Sequence, residues 1–274
     1  MKTLYISDLD GTLLNKDAEL SEYAKTVLCQ LLEKNIHLSI ATARTATTVI
    51  KMFNGVNLNV PIVLMNGVCI YDLQENKYMK IERFPEESKM KVIETVKKHN
   101  GRGFFYSIDD DKLSKYYENV DDLISKKYIE EREMKYGKVF TKVDSFFDCK
   151  DKSIVYYSVS DIAENLQPLY AELKAIVGIR TEFYRDIYNE NNWYLEICSD
   201  KASKYNAVQY LKREYGFDKI IAFGDNLNDI PMFLASDESY AVENAKPEVK
   251  EKATAIIDPN TDDGVVRWLN INSK

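Results

Sequence analysis

The segment "TLYISDLDGTLL", residues 3–14, joins a short apolar run to two aspartates that stand one residue apart. Residues 3–7 have the composition of a buried strand. Asp8 and Asp10 follow this strand directly, and a Gly-Thr pair then turns the chain. Because like charges at this spacing repel each other, a positive group has to lie between them. The segment therefore predicts a strand whose end holds a cation.

Strands and helices alternate on either side of the chain's middle third. Near the N-terminus, helical periodicity at 21–35 and 45–53 separates apolar runs at 36–41 and 61–65. Strand–helix–strand units of this kind form right-handed crossovers, so we predict a parallel sheet. The last quarter of the chain repeats the alternation, with a helix at 203–216, a strand at 219–223, a short helix at 228–236 and short strands at 239–242 and 254–257.

The middle of the chain has a different composition. A hairpin is predicted at 68–84, and aromatic and β-branched segments follow it, with 11 of the 19 tyrosines lying between residues 84 and 199. The acidic run at 109–112 is expected to be a solvated loop. We therefore predict an α/β fold, with a parallel-sheet core in two segments, 1–83 and 200–274, and an inserted α+β domain at 84–199.

Composition narrows the classes of partner. The 274 residues carry a net charge of −7 and are 45% hydrophobic, which indicates a folded chain with an acidic surface. Such a surface argues against nucleic acid or an anionic membrane, and no feature implies a protein partner. No apolar run approaches the roughly 18 residues that span a membrane, no signal peptide precedes the first strand, and the four cysteines are scattered. We therefore expect a cytoplasmic protein with reduced thiols.

Polar residues cluster where the predicted strands end, which is where ligands bind in open parallel sheets. Lys204 begins the helix that precedes the strand at 219–223. The clusters are Asp8 with Asp10, Thr42 with Arg44, Asn66 with Gly67, and "GDNLND" (224–229), which contains Asp225, Asn228 and Asp229. Three converging carboxylates need a cation, and a small set of oxygen ligands suits Mg²⁺.

Two carboxylates at one strand end allow a division of roles in phosphoryl transfer. One carboxylate can attack phosphorus and form an acyl phosphate. The other can protonate the leaving oxygen and later activate water. A lysine, a hydroxyl group and a metal around the phosphate oxygens would supply the positioning and charge neutralisation on which this chemistry depends.

These motifs resemble those of the haloacid dehalogenase (HAD) superfamily. "DLDGT" (8–12), "ATART" (41–45), "NG" (66–67), Lys204 and "GDNLND" (224–229) are similar to its Cof-type phosphatases, whose Rossmann-like core is interrupted by a large α/β cap of the C2 type. The likeness continues at 239–257 and 262–265 and covers most of both core segments. The inserted segment matches the family's cap only in its position in the chain and in its general sequence character.

The resemblance implies a role for each matching residue. It makes Asp8 the nucleophile and a metal ligand, and Asp10 the general acid and base, with its backbone carbonyl on the metal. It assigns Thr42 to the transferring phosphoryl group, and Lys204 to neutralising that group and orienting Asp8. The remaining roles are metal ligation by Asp225 and Asp229, support of the metal shell or substrate by Asn228, and substrate binding by Asn66, Gly67 and Asn244.

Arg44 has two interpretations, as a substrate-binding group or as a structural partner of a carboxylate near the strand end. Three positions depart from the family pattern without removing a catalytic group. Ala43 and Asn226 stand where glycine is common, and asparagine tolerates left-handed backbone geometry well. Tyr205 stands where a small residue is usual, so its ring either narrows the site or packs outward.

The resemblance implies a Mg²⁺-dependent phosphatase of a small phosphorylated metabolite, such as a sugar phosphate or a phosphorylated cofactor like pyridoxal phosphate. We expect the inserted domain to act as a lid that excludes protein substrates. A sugar phosphomutase using the same aspartates is an alternative. A phospho-acceptor switch without turnover is a more distant one, because receiver modules lack the acid two residues after the nucleophile and have no cap.

Overall fold

The computed structural model describes residues 1–120, 123–137, 139–185 and 191–273, which form two compact units. The first unit comprises Met1–Lys80 and Ala202–Lys274, and the second comprises Ile81–Lys201. The elements before residue 82 are β1 (Thr3–Ser7), α1 (Glu22–Glu33), β2 (His37–Ile40), α2 (Ala46–Met52), β3 (Ile62–Leu64), β4 (Cys69–Asp72) and β5 (Lys77–Ile81). The division of the chain into functional domains at residues 84 and 199 stays a prediction.

The later elements follow in the same order. Those of the second unit are α3 (Glu86–Lys98), β6 (Phe104–Asp109), β7 (Lys112–Tyr117), α4 (Leu123–Tyr136), β8 (Phe140–Lys142), β9 (Ile154–Asp161), α5 (Ala163–Leu173), β10 (Ile179–Arg185) and β11 (Trp193–Ser199). Those that return to the first unit are α6 (Lys204–Tyr215), β12 (Lys219–Gly224), α7 (Ile230–Leu234), β13 (Glu238–Val242), α8 (Pro247–Lys250), β14 (Ala255–Ile257) and α9 (Gly264–Asn272).

The first unit is built on a five-stranded sheet in the order β14-β13-β12-β1-β2, and every pair in it is parallel. Leu4 in the interior strand β1 is aligned with Ile220 on one side and His37 on the other. This register brings the carboxyl ends of β1, β2 and β12 to one edge of the sheet. The predicted α/β fold with a parallel-sheet core is confirmed.

The run at 61–65 forms the predicted strand, but over only three residues, and this strand lies outside the five-stranded sheet. β3 joins the first strands only through one parallel bridge, Ala41 to Val63, and pairs antiparallel with β4. The cause is local, because Met65, Asn66 and Gly67 all have positive φ and reverse the chain after three strand residues. Polar groups on this turn therefore stay next to the end of β2.

Local sequence signals set the ends of the two longest helices in the first unit. Ser21 caps α1 by accepting a hydrogen bond from the backbone N–H of Ala24 at 2.9 Å. At the end of α6, Gly216 has a φ of 63°, the left-handed geometry that glycine adopts at low cost. Both signals place these helices as the sequence predicts.

The second unit has its own antiparallel sheet and its own core. Its six strands run in the order β10-β11-β9-β6-β7-β8, with one parallel pair, β7 with β8. Side chains from α3 and α5 pack on one face of the sheet around Phe105, Phe146, Tyr157 and Leu195. This arrangement confirms the predicted inserted α+β region.

The acidic run at 109–112 forms the turn of a hairpin, and Asp110 and Asp111 in that turn are exposed, as expected of a solvated loop. Asp109 ends β6 and Lys112 begins β7, while Asp110 and Asp111 have positive φ values of 49° and 57° in the turn. The strand at 112–117 was absent from the prediction because it has few β-branched residues.

Within the described ranges, none of the helices is long and apolar enough to cross a membrane.

Candidate active site

Asp8 lies at the carboxyl end of β1, between β12 and β2. Its backbone N–H donates to the carbonyl of Phe223 at 2.9 Å, which continues the β1–β12 pairing one residue beyond the strand. The residue as a whole is only 6% exposed. The turn that follows contains Gly11 with a φ of 81°, and a Cβ atom there would lie 2.6 Å from the Asp225 carboxylate. Glycine therefore allows the loop after β1 to approach Asp225 closely.

Lys204 connects two of the predicted acids. It is the first residue of α6 and is buried, and its Nζ donates to Oδ1 of Asp8 and to Oδ1 of Asp229, each at 2.6 Å. The helix can begin this close to the turn after β3 because residue 67 is a glycine. A Cβ atom on Gly67 would lie 2.2 Å from the carbonyl oxygen of Ser203. Lys204 is therefore held in place by two carboxylates and by the packing of the helix start.

Three carboxylates form a cluster at this edge of the sheet. Asp8, Asp225 and Asp229 each contribute an oxygen atom, and these atoms all lie within 4.8 Å of one another. The other oxygen of Asp229 accepts from the N–H groups of Asp225 and Asn226 at 3.0 Å, and Thr12 Oγ1 donates to Asp225 at 2.7 Å. These hydrogen bonds orient the cluster before any ligand binds.

The electrostatics of the cluster fit a bound cation. Burial raises the pKa of Asp8 well above its ordinary value, and repulsion by Asp229 raises it further, although Lys204 opposes both effects. Burial also raises the pKa of Asp225 to about 6. Although burial acts in the opposite direction, Asp229 and Asp8 raise the pKa of Lys204 above its ordinary value. One lysine thus faces three acids, and this oxygen-only donor set has the chemistry that binds a divalent metal.

Asp10 has a different environment from Asp8. Its side chain is 50% exposed and accepts two hydrogen bonds from Arg44, from Nε to Oδ2 at 2.8 Å and from Nη2 to Oδ1. Its carboxylate does not belong to the group of three described above. Of the two interpretations of Arg44, the pairing with a nearby carboxylate is therefore present in the structure.

Thr42 and Asn66 lie together beyond the end of β2. The backbone N–H of Asn66 donates to the carbonyl of Thr42 at 3.0 Å, and Thr42 Oγ1 accepts from the N–H of Arg44 at 3.2 Å. The side-chain carbonyl of Asn66 accepts from Asn228 Nδ2 at 3.1 Å. The loops after β2, β3 and β12 are thereby linked to one another.

Asn244, in the loop after β13, supports the loop after β1. Its Nδ2 donates to the carbonyl of Gly11 at 2.7 Å, and its Oδ1 accepts from the N–H of Asn260 at 3.0 Å. Thr12 and Asn260 were not among the predicted site residues. Thr12 belongs to the "DLDGT" motif, so its position after two acids was a usable signal, whereas nothing local distinguishes Asn260 from other loop asparagines.

Two of the departures from the family pattern have a structural explanation. Asn226 has an extended backbone with a φ of −124°, so this position does not require the left-handed geometry that asparagine tolerates. Its side chain instead accepts from the N–H of Leu227 at 2.8 Å and caps the short turn that carries Asp229. Tyr205 is 42% exposed, which favours the outward of its two predicted orientations.

The comparisons with known proteins agree with this geometry. The family model of haloacid dehalogenase-like hydrolases matches residues 5–269. The chain belongs to this family. The family membership predicted from the motifs is therefore confirmed.

The relatives and solved structures match over almost their full length. The chain is 22% identical to the pyridoxal phosphate phosphatase YbhA of Escherichia coli, with 96% of this chain and 95% of the relative covered. It is also 22% identical to the 5-amino-6-(5-phospho-D-ribitylamino)uracil phosphatase YitU of Bacillus subtilis, with coverages of 96% and 94%. A haloacid dehalogenase-like hydrolase structure from Bacteroides thetaiotaomicron has the same fold, with a TM-score of 0.81 over 99% of both chains and 22% identity.

Proposed function

We propose that this protein is a Mg²⁺-dependent phosphatase that hydrolyses a small phosphorylated metabolite through an aspartyl-phosphate on Asp8. The observation that carries the proposal is the Lys204 ammonium held between Asp8 and Asp229, with Asp225 in the same cluster. A buried carboxylate beside a fixed ammonium is poised to meet an anionic phosphoryl group at close range.

The metal would be held by Asp8, Asp225 and Asp229, together with the backbone carbonyl of Asp10. When bound, Mg²⁺ would supply positive charge to the phosphoryl oxygens. Lys204 would provide a second positive charge and fix the oxygen of Asp8 that does not attack. Thr42 Oγ1 accepts from the N–H of Arg44, so its own hydrogen remains available for donation to a phosphoryl oxygen.

The reaction would proceed in two displacements at phosphorus. In the first, Asp8 forms a bond to phosphorus, the bond to the leaving oxygen breaks, and Asp10 gives its proton to that oxygen. In the second, water attacks phosphorus and gives a proton to Asp10, and the bond to Asp8 breaks to release phosphate. The side chains of Asp8 and Asp10 end this cycle in the states in which they began it.

The named relatives support the substrate class. One is named for pyridoxal phosphate and the other for a phosphorylated ribitylaminouracil, and both names denote phosphate esters of small cyclic metabolites. We propose a substrate of the same kind, either a phosphorylated cofactor or precursor or a sugar phosphate. The substrate reaches the site as an anion, although the chain has a net charge of −7, so attraction must come from Lys204 and the metal.

The test is phosphate release from a panel of sugar phosphates, nucleotides and phosphorylated cofactors, with Mg²⁺ and with excess chelator. We expect turnover of at least one small ester with Mg²⁺, and none with chelator. Trapping of a phosphorylated protein and mapping of the phosphate to Asp8 would test the intermediate. Phosphate release that persists in excess chelator would contradict the proposed site.

A further inference from the structure

Arg44 makes a two-point contact with Asp10, a partner that the sequence alone does not specify. Two guanidinium nitrogens, Nε and Nη2, face the two oxygens of the Asp10 carboxylate. A planar guanidinium opposite a planar carboxylate restricts rotation of both groups, which a single hydrogen bond does not do. The contact therefore sets the plane of the Asp10 carboxylate.

The backbone of Arg44 is itself fixed to the loops of the site. Its N–H donates to Thr42 Oγ1 at 3.2 Å, and its carbonyl accepts from the N–H of Met65 at 3.1 Å. The guanidinium also approaches the sulfur of Met52 in α2, with 3.3 Å between Nη1 and Sδ. The side chain of Arg44 is only 20% exposed, whereas that of Asp10 is 50% exposed. The arginine is thus the better-anchored member of the pair.

We propose that Arg44 is a positioning residue that orients the Asp10 carboxylate for proton transfer to the leaving oxygen, an inference that rests on the proposed function. The guanidinium has no site to accept a proton, so the proton that moves stays on Asp10. When Asp10 is protonated, the oxygen that carries the proton keeps a lone pair toward Arg44, so both oxygens still face the guanidinium. The proton then passes to the leaving oxygen as the bond from that oxygen to phosphorus breaks.

The alternative role for Arg44 is direct binding of the phosphoryl group, and the two roles differ in what they require of the side chain. Phosphate binding needs positive charge, which lysine also supplies. Orientation of Asp10 needs the forked geometry, which lysine lacks. Arg44→Lys and Arg44→Gln together therefore separate loss of the fork from loss of the charge.

The experiment measures kcat/KM for two substrates. The leaving oxygen of an alkyl phosphate needs protonation as it departs, whereas that of p-nitrophenyl phosphate needs little protonation. We expect both variants to lose about 10- to 100-fold on the alkyl phosphate and less than about 3-fold on p-nitrophenyl phosphate, since misplacement of a catalytic group costs factors of this size. In an Asp10→Asn background, either Arg44 substitution should change kcat/KM by less than about 2-fold. Arg213→Gln, at an exposed arginine of α6, is the matched control.

Two further measurements exclude a general structural effect. Inhibition by inorganic phosphate and the Mg²⁺ concentration for half-maximal activity should both stay within about 2-fold of wild type. The positioning role would be overturned by equal losses of kcat/KM on the two substrates. It would also be overturned if the losses added to that of Asp10→Asn, or if inhibition by inorganic phosphate weakened. A wild-type protein that hydrolyses neither ester would instead contradict the proposed function, so the two failures are distinguishable.

Discussion

Single residues of the site are held in states that cost free energy in the absence of a ligand. One buried ammonium, that of Lys204, faces the carboxylates of Asp8, Asp225 and Asp229. Removal of carboxylates from water is costly unless positive charge compensates it. A cation and an anionic substrate that enter together would restore the balance, which explains why so much charge is concentrated at one strand end.

The first prediction concerns the attacking group. Asp8→Asn preserves the size of the side chain but removes the nucleophilic oxygen charge and one metal-binding group. We expect kcat to fall at least about 1,000-fold, as is typical when covalent catalysis is lost, while the circular dichroism spectrum stays that of the wild type. Turnover within 10-fold of wild type in this variant would show that another group attacks phosphorus.

The second prediction concerns the charge of Asp225. Because burial raises its folded-state pKa to about 6, the metal-free folded protein holds this proton more tightly than the unfolded chain does. The free energy of unfolding should therefore decrease as pH rises from about 4 through about 6. Asp225→Asn lacks this decrease, so we expect the variant to be more stable than wild type by about 1–2 kcal/mol at pH 7.5, allowing for the partial exposure of the group.

Urea unfolding in excess chelator at pH 4.5 and pH 7.5 measures this difference. The stability gain of Asp225→Asn should be present at the higher pH and largely absent at the lower one. A gain of equal size at both pH values would mean that it arises from packing instead of charge.

At the scale of elements, the start of α6 depends on the turn between β3 and β4. Gly67 has a φ of 96°, and a Cβ atom there would meet the backbone of Ser203, the residue before Lys204. Ser203 also caps the helix by accepting from the N–H of Asn206 at 3.0 Å. A shift of this helix start would move the Lys204 ammonium away from Asp8.

The third prediction compares Gly67→Ala with Gly55→Ala. Both glycines have strongly positive φ, 96° and 88°, but a Cβ atom at Gly55 would have no neighbour within 4 Å. Backbone strain at such a position costs on the order of 1 kcal/mol in each variant. Only Gly67→Ala should also displace the helix start, and we expect it to lower kcat/KM at least about 10-fold while Gly55→Ala stays near wild type. Equal activities in the two variants would contradict a link between the turn and Lys204.

At the scale of the whole molecule, each of the two units has a hydrophobic core of its own. In the second unit, Phe146 is fully buried and its ring lies 4.8 Å from that of Phe105. In the first unit, Leu28 of α1 is equally buried. Separate cores predict that a cavity in one unit lowers the local stability of that unit most.

The fourth prediction tests this separation by hydrogen exchange. Phe146→Ala should cost about 3–5 kcal/mol, and its loss of protection should be greatest in the amides of β6, β9 and β11. Leu28→Ala should cost about 2–5 kcal/mol and reduce protection mainly in β1, β2 and β12. A uniform loss of protection across all six strands in both variants would show that the units unfold as one.

The sequence by itself determined the family, the parallel α/β core and the set of acids at its edge. These features have local signals, such as helical periodicity at residues 21–35, Ser21 before a helix, Gly216 after one, and aspartates directly after an apolar run. Each of these signals lies within a few residues of the structure that it specifies, because the hydrogen bonds and side-chain periodicity of a helix or strand involve residues close together in sequence. The roles of the individual site residues stay predictions that the experiments above test.

The tertiary structure alone decided which side chains meet. Arg44 reaches Asp10 across 34 residues, and Thr12 reaches Asp225 across 213, and no local pattern encodes either partner. The turn at Met65–Gly67 likewise ends β3 after three residues and reverses the chain into β4, so that the glycine can face Ser203. These contacts depend on how distant loops meet at one end of the sheet, and their energies arise only when the core has brought those loops together.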